Sequence, residues 1–234
     1  MKAELSMAFD NLRGKAGTVV ISGSRSGLIV KPRVQPRNPR TAAQEQVRAN
    51  LTTASQLFKN FTPVQLANWK TYAASITKTN PVTGKTYNPT PLAAFVGLAT
   101  KFLQANPNGT VPLTPPTADF NGDKISVTAT GGSGKITFTA SAPNSAGVVT
   151  ELLLQPLKSR NRTPSTIGYR SKAFVVFASG SLSAIVNVPA GWYAAGYRVV
   201  NSATGQDTKL IPLTVNQVTF AVEEGGEGRT KKAA

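Results

Sequence analysis

The chain has 234 residues and 40% hydrophobic content, enough for one large domain or two ordinary ones with a real core. It has no cysteine and no histidine, which removes disulfides, thiolate chemistry, the usual neutral-pH general base and the commonest metal ligand. Ten carboxylates face 26 lysines and arginines, a formal charge of +16, so the composition argues against an enzyme and for a polyanion or an acidic protein as partner.

The charge is uneven. Residues 1–106 hold 14 Lys/Arg against 3 Asp/Glu, residues 107–222 hold 9 against 4, and the tail from Glu223 holds 3 of each. No apolar run approaches the length of a bilayer crossing, and "MKAELSMAFDNLRGKAG" does not read as a secretory signal. No membrane association, cofactor, metal or small-molecule substrate is expected.

In chain order, Thr18–Ser22 and Leu28–Val30 are β-rich runs around "GSRSG", which reads as a hairpin. A lone hairpin is marginally stable, so it must pack on the following helices or on another chain. A basic segment follows. Lys31, Arg33, Arg37 and Arg40 are interleaved with Pro32, Pro36 and Pro39, which keep the chain extended. With Arg25 before it and Arg48 after it, this is the first candidate binding segment, an arm for a neighbouring subunit or a polyanion, with a solvated linker as the plain alternative. Arginine outnumbers lysine there, which favours bidentate pairing with carboxylate or phosphate.

Thr41 followed by Gln44 is a capping-box pattern, with Val47, Leu51, Ala54, Phe58 and Phe61 as its apolar stripe. Thr62-Pro63 with Gln65 starts a second helix, striped by Leu66, Trp69, Ala73 and Ile76. "TNPVTGKTYNPT" reads as a loop. Thr90-Pro91 starts a third helix, with Leu92, Phe95, Leu98 and Phe102 on its face. The Pro- and Gly-rich stretch after Asn106 reads as a domain boundary.

Beyond it the period becomes two. About seven short strands fill the rest, the pattern of a β-sandwich. "GGSGKI" fails as a phosphate loop because Ala129 stands where a glycine is needed and Ile136 where Ser or Thr would be; it reads as a turn. "DFNGD" lacks the later ligands of a calcium loop. Lys158, Arg160, Arg162, Arg170 and Lys172 make a second basic loop around a tyrosine, joining two strands of the sandwich; it is a candidate for nucleic-acid contact, with a simply solvated loop the commoner alternative. Trp192, Tyr193 and Tyr197 offer a stacking face for carbohydrate, with core packing the alternative.

Two resemblances add to this reading. "VPAGWYAAGYRVVNSATGQ", residues 188–206, is similar to the E–F corner of fibronectin type III or immunoglobulin-like modules. The resemblance implies that Tyr193 or Tyr197 is the corner tyrosine, although the cysteine pair and a clear strand-C tryptophan are missing. Residues 12–105 resemble the N-terminal module of an uncharacterised family encoded by bacteriophages and bacterial genomes. The matching positions are Gly14, Gly17, Arg33, Asn38, Pro39, Thr41, Gln44, Arg48, Thr62, Pro63, Gln65 and Trp69. That resemblance implies a particle or tail component rather than an enzyme.

The expected fold is α+β in two domains. A β-hairpin and three-helix assembly module spans 1–106, a Pro-rich linker 107–118, an immunoglobulin/fibronectin III-like sandwich 119–222 and a polar tail 223–234. The expected function is a non-enzymatic structural protein of a bacteriophage virion. It would be made in the host cytoplasm and would contact copies of itself or other virion proteins. Sequence-independent nucleic-acid binding and a surface or carbohydrate-binding module are the alternatives.

Overall fold

The computed structural model describes residues 2–3, 14–24, 27–34, 38–80 and 83–220. The chain divides into two compact units, 1–45 and 46–234. This differs from the expected partition: the helices fall into one unit with the sandwich, and the division lies inside the first helix.

The first unit is an antiparallel sheet of β1 (Lys2–Ala3), β2 (Gly14–Ala16), β3 (Val19–Ser24) and β4 (Gly27–Pro32), in the order β1-β4-β3-β2. The expected hairpin is therefore the centre of a larger sheet. Gly17 sits at φ +55° in the two-residue turn between β2 and β3, a conformation that suits glycine. The register puts Ala16, Val19, Ile21, Leu28, Val30 and Pro32 on one face, and Lys15, Val20, Ser22, Ile29 and Lys31 on the other. Among the described residues of this unit, only Leu28 is buried.

The second unit opens with α1 (Ala42–Lys59) from Gln46 onward, followed by α2 (Pro63–Ser75) and α3 (Pro91–Ala105). Thr62 and Gln65 form the full reciprocal capping box, and the Thr90 hydroxyl accepts from the Ala93 amide. Ala54, Trp69, Ala73, Phe95, Ala99, Phe102 and Leu103 build a small core, with Phe58 and Phe61 at its margin. Val47, Leu51 and Leu92, expected in the stripes, are instead exposed. The expected loop after α2 carries a short hairpin, β5 (Lys78–Thr79) and β6 (Thr86–Tyr87).

The Pro-rich connection is packed along its length rather than left as a free spacer. Val111 enters the helical core, and the Trp69 indole donates to the Leu113 carbonyl at 2.9 Å. Gln206 donates to the Ala118 carbonyl, and Phe120 packs on the sandwich core.

The sandwich has two antiparallel sheets. One is ordered β11 (Ser183–Asn187), β8 (Lys135–Ala140), β7 (Val127–Gly131). The other is ordered β10 (Arg170–Val175), β9 (Val148–Leu157), β12 (Gly191–Asn201), β13 (Ile211–Val218). Inward positions alternate, as in Val127/Ala129, Ile136/Phe138, Leu152/Leu154 and Tyr193/Ala195/Tyr197/Val199, and form the main core.

The helices meet the sandwich at the end where β9 starts and β12 finishes. Asn106 donates to the Ser202 carbonyl at 2.7 Å. Gly205, at φ +75°, lies so close to α3 that a Cβ would stand 2.3 Å from the Leu98 carbonyl oxygen.

Candidate functional site

The basic arm begins where β4 ends. The Arg33 amide donates to the Thr18 carbonyl at 2.7 Å, so the hairpin fixes the start of the segment. At its other end the Thr41 hydroxyl accepts from the Gln44 amide, which caps α1. Just before the cap, Arg40 adopts φ 47°, a left-handed conformation that costs a non-glycine residue on the order of 1 kcal/mol or more. Lys31, Arg33, Arg40 and Arg48 are all exposed. Among the described residues no ion pair engages Lys31, Arg33 or Arg40. Arg25 and Arg37 lie outside the described residues. Lys31, Arg33 and Arg40 belong to the first unit and Arg48 to the second.

The second basic group divides between two elements. Lys158, Arg160 and Arg162 lie in the loop after β9, whereas Arg170 and Lys172, expected in the same loop, stand on β10, an edge strand. All five are exposed. Arg170 turns its Nη1 to the Ile167 carbonyl at 3.1 Å. The tyrosine of this segment, Tyr169, packs against Leu153 and Ala194, and burial raises its hydroxyl above the ordinary range. It offers no face for stacking.

Two of the three candidate stacking aromatics are spent in the core. The Tyr193 hydroxyl donates to the Pro189 carbonyl at 3.0 Å, the bond expected of a corner tyrosine, and the Tyr197 hydroxyl donates to the Ile125 carbonyl at 3.3 Å. Both rings are buried, and only Trp192 keeps partial exposure. Sequence reasoning missed its neighbour. Phe220 is 84% exposed and lines a shallow groove with Gly191, Trp192 and Gln217. Its signal was weak, because it ends a run whose apolar residues otherwise read as strand.

The helix–sandwich junction holds a charge network that sequence reasoning also missed. Glu151 stands in one row with Phe174 and Arg198 across β10, β9 and β12. Its carboxylate is 2% exposed and takes the Lys101 ammonium at 2.8 Å, while Asp207 takes Arg198 at 3.2 Å and lies 3.8 Å from Lys101. The available signal was a lone acid inside "VVTELLLQPL". A cleft of about 640 Å³ beside it is lined by residues that include Tyr72, Lys101, Asp207 and Lys209. Burial raises the Tyr72 hydroxyl, against a lowering bond with Gln206. Lys101 and Asp207 are committed to ion pairs that tie α3 to the sheet. Among the described residues no group of three or more His, Cys, Asp and Glu is placed to hold a metal ion.

No protein-family model and no curated protein matches the sequence. Several solved structures are similar at low identity. The FN1–FN3 domains of chicken CNTN1 are 16% identical, with 46% of this chain and 34% of that chain covered and a TM-score of 0.30. The fibronectin type-III domain of human fibronectin type III domain containing protein 3 is 13% identical, with 50% and 100% covered and a TM-score of 0.29. Bacillus amyloliquefaciens CBM33 in complex with Cu(I) is 18% identical, with 55% and 94% covered and a TM-score of 0.25. The chain thus spans about a third of the chicken FN1–FN3 chain it matches. It is a mixed α+β protein whose C-terminal part, by its own strand order and register, is a fibronectin type III-like β-sandwich.

Proposed function

We propose that this is a structural protein of a bacteriophage particle that assembles through its N-terminal residues. One observation carries the reading. The first unit is a four-stranded sheet with an apolar face and, among its described residues, a single buried side chain. A unit this small with so little burial draws little stability from its own core, so it gains from a surface that covers it. A neighbouring chain that covered it would supply that burial. The segment from Arg33 to Thr41 is anchored at both ends, by the Arg33 amide and by the Thr41 cap, so docking it costs less ordering entropy than docking a free tail.

Two further features support the reading. Val47 and Leu51 lie on exposed turns of α1, where unpacked helix is only marginally stable without a partner. The module also resembles that of a phage-encoded family. The experiment is sedimentation of particles from cells that produce the protein. It is expected in the particle fraction at a fixed copy ratio, and Arg33→Ala with Arg40→Ala should shift it to the soluble fraction. A wild-type chain that stays soluble while particles assemble would contradict the proposal.

A further inference from the structure

The end of the sandwich opposite the helices carries a different chemistry. Register brings its parts together: Leu157, just before Lys158, pairs with Trp192, which pairs with Gln217. The turn after β7 joins them. Ser133 bridges to Thr219 and its hydroxyl donates to the Phe220 carbonyl at 2.7 Å, placing Lys135 at the same end. This pole therefore gathers Lys135, Lys158, Arg160 and Arg162, all exposed, around the half-exposed Trp192 and the exposed Phe220.

Carboxylates are absent from this pole among the described residues. Between 107 and 220 there are four, and all sit towards the opposite end. Asp123 is bonded to Ser145 in the loop before β9. Glu151 and Asp207 are paired with Lys101 and Arg198, and Asp119 lines the helix-side cleft. Charge is thus segregated along the sandwich. The distal cations have no internal partner among the described residues, and they share this end of the sandwich with Trp192 and Phe220.

We propose that this pole is a sequence-independent contact for single-stranded nucleic acid. The cations hold phosphates, and unpaired bases stack on Trp192 and Phe220. Arginine forks match phosphate oxygens, and stacking on aromatic rings needs no particular base. The paired strands of a duplex would present phosphates but no free base faces. The proposal is independent of the assembly reading, because it uses none of the first unit's residues.

The two tryptophans make the test direct. Trp69 is 1% exposed and bonded to Leu113, so quenching of tryptophan emission by a ligand reports Trp192. Nuclease-treated full-length protein is titrated with an oligothymidylate longer than the roughly 4–16 nucleotides that such sites span. Emission is expected to fall on binding. Affinity is expected to weaken with salt at a log–log slope of about −3, from about −0.7 per phosphate held by four cations. Phe220→Ala, a surface change with little bearing on folding, should weaken binding by about tenfold. Lys158→Ser with Arg160→Ser and Arg162→Ser should flatten the salt slope to about a quarter. Arg33→Ala with Arg40→Ala should leave the quench intact. Binding without quench, equal binding of a duplex or of heparin, or loss of binding in the arm variant alone would overturn the proposal.

Discussion

The Asp123 carboxylate accepts from the Ser145 amide at 2.7 Å, the Ser145 hydroxyl at 2.9 Å and the Lys124 amide at 2.9 Å. Burial would raise its pKa, but these bonds and one from Asn144 outweigh burial and hold it below the ordinary range. The sign of the linkage follows. A depressed folded-state pKa gives stability that is full above the unfolded value of about 3.9 and is lost as pH falls through the folded value. Asp123→Asn should therefore lower stability at neutral pH and reduce the loss seen on acidification below about pH 4, as read by denaturant melts across pH. Glu151 is the other residue whose surroundings decide its effect. Lys101→Met leaves a buried carboxylate without its ammonium and should cost about 3 kcal/mol, whereas Lys101→Met with Glu151→Leu should recover most of the loss in a double-mutant cycle.

Elements were legible in proportion to how local their causes are. The capping box at Thr62 and Gln65 is written within four residues, and the structure has it. Thr62→Ala should cost about 1 kcal/mol, measured by chemical denaturation. The seven sandwich strands followed from period-two alternation and punctuating turns, although Arg170 and Lys172 joined the edge strand rather than the loop. Less local features were harder to read. The hairpin of β5 and β6 has two residues per strand, too few for any period. The stripe of α1 predicts burial for Val47 and Leu51, but periodicity reports amphipathicity and not what covers the face. The corner tyrosine stayed ambiguous between Tyr193 and Tyr197 because the deciding bond, to Pro189, needs the turn's geometry.

For the whole molecule, the joints between elements were the least legible. Lys101 and Glu151 are 50 positions apart, and Asn106 and Ser202 are 96 apart. Nothing local marks either pair, so composition suggested a linker where the chain packs the helices and the sandwich into one unit. The distal pole was half legible. The cations of 158–172 were visible as a cluster, but Lys135 and Phe220 join it only through the register of β7, β12 and β13. Among its described residues the first unit has a single buried side chain, and that deficit is the centre of the functional account. The measurement that tests it most directly is the solution mass of nuclease-treated protein, by light scattering over a range of concentrations at physiological salt. A discrete oligomer or polymer that dissociates when Arg33 and Arg40 become alanine is the expected result. A monomer at every concentration, unchanged by those substitutions, would contradict it.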